Sequence, residues 1–398
     1  MLFLFADTGG GHRRAAEAVI EALADGRPGS FRTILHDPLL GPDAARPQRW
    51  LGRLYGPAVR WAPWAWGAGY WVSNSRLAMA LLARTAFAPA ARSVARQVRR
   101  GRPDVIVSCH PLTGRAAVLA ARRQPVPAAV VTVVTDLVRV HASWLEPGAG
   151  PVVVPSAEAA AACRAAGLPA SRCTPAGLPV GRRMRPERNP AARAALRRSA
   201  GLPADRFVVL LAGGGEGCGG IGRRATAILR RFADVHVVAA CGRNERLRRR
   251  LSTAAGHAGG RLTVLGYVGN FADWLRVADV VVTKAGPGII AEAACCGTPL
   301  LLTSHLPGQE RGNAGLVLRA GAGRSARGVR GMLAELAEMR ADARALTALR
   351  AGSASLARPG AAVQVAGIIA GLVPVAGGGL TAAGPASTGR ASTVGAGR

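Results

Sequence analysis

The residues best able to do chemistry sit in short polar clusters, each placed where an apolar run gives way to glycine. Asp7-Thr8-Gly9-Gly10-Gly11-His12 follows the apolar Met1–Ala6. Glycines let backbone N–H groups approach a ligand, and a helix that begins there turns its positive end towards an anion. His12 stands at that helix start, where the dipole lowers its pKa and favours the neutral imidazole a general base requires. A loop histidine that only caps the helix would occupy the same place. A second loop, Gly213-Gly214-Gly215-Glu216-Gly217-Cys218-Gly219-Gly220, follows Phe207–Ala212. It is of phosphate-binding type, though neither a Walker A nor a spaced GxGxxG sequence. A third, Ala285-Gly286-Pro287-Gly288, links the strand Val280–Thr283 to a helix over Ile289–Cys296. Gly297 and Pro299 stop that helix, and Leu300–Thr303 makes the next strand, so the stretch reads as one βαβ unit. Glu292 on its helix can accept hydrogen bonds from ribose hydroxyls. Gln309, Glu310 and Asn313 follow the next strand. The two amides are four residues apart, able to share one face, and carry both donors and acceptors for sugar hydroxyls.

Other candidates gather on the amino-terminal side. His110 follows the expected strand Asp104–Cys109, and Asp136, His141 and Trp144 follow Ala128–Thr135. With His12, these groups lie past the carboxyl ends of strands, the edge at which open α/β sheets bind ligands. Between Trp50 and Trp71 the chain collects five of its seven tryptophans, Trp50, Trp61, Trp64, Trp66 and Trp71, with Tyr55, Tyr70, Arg49, Arg53 and Arg60 among them. Amphipathic aromatics mixed with arginine favour a lipid–water interface. A helical subdomain with an aromatic core is the plainer alternative. Base stacking would use similar residues, but no nucleic-acid motif accompanies them, so no nucleic-acid partner is expected.

These clusters need elements to hold them. Short β-branched runs alternate with helix-length amphipathic segments throughout, the pattern of α/β units with parallel strands. Gly177-Leu178-Pro179-Val180-Gly181 interrupts it. The spacing therefore predicts two Rossmann-like domains facing a cleft, over residues 1–180 and 181–375. A Gly/Ala/Ser/Thr-rich tail over 376–398 is expected to be disordered.

Composition sets bounds. The 398 residues suffice for two cores. No apolar run reaches the roughly 18–20 residues of a membrane-spanning helix. The seven cysteines show neither CxxC spacing nor paired histidines, and the opening residues lack a basic n-region, so a cytoplasmic protein without disulfide or metal is expected. The abrupt first strand suggests a true start a few residues upstream. The net charge of +30 comes almost wholly from arginine, because Lys284 is the only lysine. Such a balance fits an anionic membrane surface or nucleic acid, or reflects biased codon usage alone.

Taken together, LLAGGGEGCGGI, CGRNERL, LGYVGNFADWLRVADVVVTKAGPGIIAEA and LPGQERGN resemble the monogalactosyldiacylglycerol synthases and processive diacylglycerol glucosyltransferases of glycosyltransferase family 28. DTGGGHRRAAEA, SCHPLTG, TVVTDLVRVHASW and GLPVG match the amino-terminal half in the same order, so the resemblance spans roughly residues 2 to 320. It implies a GT-B fold and an inverting transfer of galactose or glucose from a UDP-sugar to diacylglycerol or a related lipid, giving a β-glycolipid. By similarity His12 is the catalytic base. The donor side comprises Gly214, Gly215 and Glu216, then Val268 at the uracil, Gly286, Pro287 and Gly288 by the diphosphate, Glu292 at the ribose, and Gln309, Glu310 and Asn313 towards the sugar. Gly11, His110, Asp136, His141 and Trp144 fall on the acceptor side. Arg60, Trp61 and Trp64 fall on the membrane side, at the inner face of the cell membrane. No DxD motif stands where a metal-dependent transferase needs one, so neither metal nor cofactor is expected beyond the UDP-sugar. The Trp-rich segment departs from the family pattern, which leaves the lipid unspecified. Transfer to a soluble acceptor and UDP-sugar 2-epimerisation on the same fold remain alternatives, as does a basic binding protein without catalysis.

Overall fold

A computed structural model gives the structure of the chain and describes residues 1–7, 10–41, 44, 49, 62–85 and 87–374. Among these residues twelve strands form two six-stranded sheets. The first contains β1 (Leu2–Leu4), β2 (Ile34–His36), β3 (Val105–Ser108), β4 (Ala129–Val133), β5 (Val152–Val154) and β6 (Cys173–Pro175), in the order β2-β1-β3-β4-β5-β6. The second contains β7 (Phe207–Ala212), β8 (Val235–Ala240), β9 (Leu262–Leu265), β10 (Val280–Lys284), β11 (Leu300–Ser304) and β12 (Gly323–Ser325), in the order β12-β11-β10-β7-β8-β9. Every pairing is parallel. Helices cover the faces, so β3, β5 and β8 are buried along their whole length. The α/β fold with two Rossmann-like domains is therefore present.

Strand order explains where a ligand can enter. In the first sheet the chain reverses direction between β1 and β3, and in the second between β7 and β10. At such switch points the following loops part and leave a crevice at the carboxyl edge. The loop after β1 leads into His12 at the start of the helix Gly11–Gly26, the loop after β3 carries His110, and the loops after β7 and β10 are the two other glycine clusters.

The last helix departs from the expected division. Ala361–Ala370 does not belong with residues 181–375. Its Val365, Ala366 and Ile369 pack into the first domain's core beside Phe3, Ala16 and Val19. An apolar period marks a helix but cannot say which sheet it covers. Residues 375–398, and with them the expected tail, lie outside the described residues. None of the described helices is long and apolar enough to cross a membrane.

Candidate active site

The glycine loop after β7 is built by backbone lying on backbone. A Cβ at Gly213 would lie 2.0 Å from the Cys218 carbonyl oxygen, and one at Gly242 would lie 2.4 Å from the Gly215 carbonyl oxygen. Side chains at these positions would push the loop open, so its tightness depends on their absence. The loop after β10 enters the helix Pro287–Cys296 through Pro287 in the first turn, where a missing N–H costs nothing. Gly297 ends that helix in the left-handed conformation, φ 68°.

One pocket joins the two domains. Gly11 and His12 line it from the first. Gly214, Gly215, Glu216, Val268, Gly286, Pro287, Gly288, Glu292, Gln309 and Glu310 line it from the second. Among the described residues no group of three or more His, Cys, Asp and Glu is arranged to hold a metal ion.

His12 is buried, and its Nδ1 lies 2.9 Å from Thr135 Oγ1. Burial pulls the imidazole down to about 4, against the opposing pull of the Cys109 carbonyl. The ring is thus neutral at physiological pH. The largest cause is loss of solvent, where the sequence pointed to a helix dipole. His110 packs edge-on against it with ring centroids 4.5 Å apart, and Trp144 lies 5.9 Å away. His110 is itself held well below the ordinary histidine value by burial and by the neighbouring His12. It does not line the pocket and acts as a wall behind His12.

Asp136 is buried and bridges the domains. Its Oδ2 accepts from Trp144 Nε1 at 2.7 Å, and its Oδ1 accepts from Gln309 Nε2 at 3.1 Å. Burial raises its carboxyl to about 6, even though both donors favour the charged form. His141 lies further out, with Nδ1 2.7 Å from Ser143 Oγ and Nε2 3.2 Å from the Tyr70 carbonyl oxygen. It ties the loop after β4 to the helix Pro63–Ser73 and does not reach the pocket.

Glu292 is buried and pairs with Arg14 across the cleft at 3.1 Å, while its Oε2 has no partner. Burial raises its pKa and Arg14 partly offsets that. A buried carboxylate oxygen facing the pocket without a donor is what a ribose hydroxyl would satisfy. Asn313 is more deeply buried than Gln309. It is 0% exposed, lies at the start of the helix Asn313–Arg319, and donates through Nδ2 to the Ala285 carbonyl at 2.9 Å. It follows Gly312, with φ +98°, and through this bond braces the loop after β10, while its Oδ1 has no partner.

The sequence reading missed four participants. Thr135 orients His12, Arg14 answers Glu292, and Lys284 pairs with Glu310. Arg243 reaches from the second domain to Asp7 at 3.0 Å and to Glu216 at 3.3 Å, and lies over the Tyr267 ring. Lys284 alone carried a signal, its uniqueness. The arginines are too numerous for any one to stand out.

Arg60 and Trp61 lie outside the described residues, as do Trp50, Arg53 and Tyr55. Trp64 is described and is 75% exposed. It shares the helices Pro63–Ser73 and Arg76–Arg84 with exposed Trp71, Val72, Leu77 and Leu81. This apolar surface leans on the donor side: Tyr70 packs so closely on Gly308 that a Cβ there would lie 2.6 Å from its ring.

Comparison with known proteins agrees with this layout. The family described as Monogalactosyldiacylglycerol (MGDG) synthase matches residues 12–180, and the Glycosyltransferase family 28 C-terminal domain matches residues 208–326. The chloroplastic monogalactosyldiacylglycerol synthase of Spinacia oleracea is 33% identical over 341 residues, covering 81% of this chain and 63% of that protein. A probable chloroplastic monogalactosyldiacylglycerol synthase of Glycine max is 31% identical over 381 residues, covering 92% and 70%. The chain thus spans somewhat under two thirds of the spinach relative's length. Among solved structures, Acinetobacter baumannii MurG aligns with TM-score 0.60 at 16% identity, covering 93% of this chain and 99% of that one. Anabaena Alr3699/HepE in complex with UDP-glucose aligns with TM-score 0.56 at 14% identity, covering 93% and 98%. The UDP-GlcNAc 2-epimerase from Neisseria meningitidis bound to UDP-GlcNAc aligns with TM-score 0.60 at 11% identity, covering 93% and 99%. These likenesses establish the two-domain fold.

Proposed function

The chain belongs to the monogalactosyldiacylglycerol synthase family, and from that premise we propose that it transfers a hexose from a UDP-sugar to diacylglycerol or a related lipid with inversion, giving a β-glycolipid. The observation that carries this reading is the single pocket in which His12 from one domain faces the glycine loops of the other. The relatives' names favour galactose, and UDP-glucose is the other donor to test.

The parts divide the chemistry. The loops after β7 and β10 lie where backbone N–H groups and a helix start can hold a diphosphate. Glu292 takes the ribose, Val268 the uracil, and Gln309 the sugar. In this reading His12 carries its proton on Nδ1, towards Thr135 Oγ1, and keeps a lone pair on Nε2 for the acceptor hydroxyl. The hydroxyl oxygen bonds to C1 of the sugar as the C1–O bond to the diphosphate breaks, and the proton passes to His12. One displacement from the face opposite the leaving group inverts an α-linked donor to a β-product. No metal ion is assigned a role.

The exposed Trp64, Trp71, Val72, Leu77 and Leu81 support peripheral docking on a lipid surface, with nearby arginines favouring an anionic one. The inner face of the cell membrane is the expected place.

The test is direct. Purified protein is given diacylglycerol vesicles with and without anionic lipid and a panel of UDP-sugars, and products are read by mass and anomeric configuration. A β-hexosyl diacylglycerol is expected. An epimerised UDP-sugar formed without acceptor, or equal transfer to a soluble acceptor with no vesicle binding, would overturn the reading.

A further inference from the structure

The chain carries 52 lysines and arginines, and 51 of them are arginine. Where a carboxylate elsewhere needs a cation, arginine provides it, as at Asp7, Glu146, Asp279 and Glu292. The single side-chain ammonium is Lys284, the last residue of β10, and it lies in the pocket described above. Its Nζ pairs with Glu310 Oε1. Glu310 is buried, and its other oxygen accepts from the Leu306 N–H at 2.7 Å. A Cβ placed on Gly286 would lie 3.1 Å from Lys284 Nζ and 3.5 Å from Glu310 Oε1. The ammonium therefore lies against the loop that opens the helix Pro287–Cys296. An ammonium is compact and can turn between acceptors, whereas a guanidinium is a broad planar fork that would meet Gly286 in this space.

Charge balance makes the position matter. The pocket is lined by two cations, Arg14 and Lys284, and three carboxylates, Glu216, Glu292 and Glu310. Arg14 is engaged by Glu292. A nucleoside diphosphate adds further negative charge, and still more when its bond to the sugar breaks. We propose that Lys284 is a catalytic residue that stabilises the departing nucleoside diphosphate, with Glu310 as the positioning residue that holds its ammonium beside the Gly286 loop. This rests on the transferase reading above. As the C1–O bond breaks, both bonding electrons go to the phosphate oxygen. Lys284 meets that charge as an intact ammonium and gives up no proton. The acceptor's proton goes to His12, so the step balances without a further reactant. Glu310 stays satisfied by the Leu306 N–H while Lys284 turns from it towards the diphosphate.

The sole lysine makes the test clean. Reductive methylation with ¹³C-formaldehyde labels two amines only, Lys284 and the amino terminus. The amino terminus bonds to the Arg32 carbonyl at the far end of β1 and serves as an internal control. Adding UDP should shift the Lys284 methyl resonance and leave the Met1 resonance in place. Lys284→Ala should lower kcat by about 10²–10³-fold, the size typical of losing one charge-stabilising donor. Added methylammonium should restore part of that loss but none in His12→Ala. Lys284→Arg should stay well below wild type. Wild-type protein that binds UDP and transfers sugar while the Lys284 resonance stays still and Lys284→Ala keeps its kcat overturns the inference alone. Wild-type protein that neither binds UDP nor transfers sugar overturns the transferase reading and this inference with it. The resonance test uses the folded wild-type chain, so it decides the matter even if a variant fails to fold.

Discussion

Gln309 Nε2 donates to Asp136 Oδ1 at 3.1 Å, and that bond crosses from the donor loop to the acceptor-side loop after β4. In the transferase reading Gln309 serves the sugar as well, so one amide senses both halves of the reaction. Gln309→Ala is expected to raise the donor KM about tenfold, the scale of one or two lost hydrogen bonds. Gln309→Glu should do worse, because it sets a carboxylate against Asp136 and Glu310. Steady-state kinetics with varied UDP-sugar checks both, and unchanged KM values would remove Gln309 from the site.

Asp136 gives a pH signature. Burial raises its carboxyl to about 6 from an ordinary value of 3.8. The folded state therefore holds this proton more tightly than the unfolded chain does. The resulting stability is full below pH 3.8 and is lost as pH rises through about 6. At pH 7.5 the wild type bears the cost of a buried carboxylate, and Asp136→Asn should remove it. The variant should melt a few degrees higher at pH 7.5, with the gain closing towards pH 5. A variant less stable at every pH would show that the bonds from Trp144 and Gln309 outweigh burial.

His12→Ala should lower kcat by about 10²–10⁴-fold, the range of general-base catalysis, while calorimetry finds UDP affinity within about twofold of wild type. Thr135→Val should lower kcat with little change in donor KM, since it loosens the imidazole only. Burial holds His12 at about 4, so its own protonation should not reduce the rate above about pH 5. An acid limb nearer pH 6 would fall where burial has raised a carboxyl, at Asp136.

Transfer should run at the full rate in EDTA and gain nothing from added magnesium. A rate lost on chelation and restored by a divalent cation would assign the diphosphate to a metal and not to this chain's groups.

Replacing Trp64, Leu77 and Leu81 together by serine should cut co-sedimentation with anionic vesicles by about tenfold or more, since each buried apolar side chain contributes about 1.5–3 kcal/mol. The melting temperature should hardly change, because all three are exposed. Retained vesicle binding would move the docking surface elsewhere.

The second sheet was the more legible half. Phe207–Ala212, Val235–Ala240 and Leu262–Leu265 stand out as apolar runs bounded by glycine or charge, and they form strands with those bounds. Cys173–Pro175 and Gly323–Ser325 escaped notice because three-residue edge strands carry no apolar run to read. Glycine loops announced the site, since a backbone approach must be written locally. Ion pairs such as Arg243 with Asp7 were not readable, because they join positions remote in sequence and arginine is everywhere in this chain. Asn313 shows the remaining limit: spacing places two amides on one segment, but it does not reveal that Asn313 is fully buried against the Ala285 carbonyl.

The helix Ala361–Ala370 closes the first domain's core from the far end of the chain. On a ribosome, synthesis runs from residue 1, so the segment that completes the first domain is made after the whole second domain. The amino-terminal half must wait, its surface around Phe3, Val19 and Ile20 still uncovered, until the carboxyl-terminal half has emerged. Synthesis of the second domain is thus complete before the first domain's core can be closed.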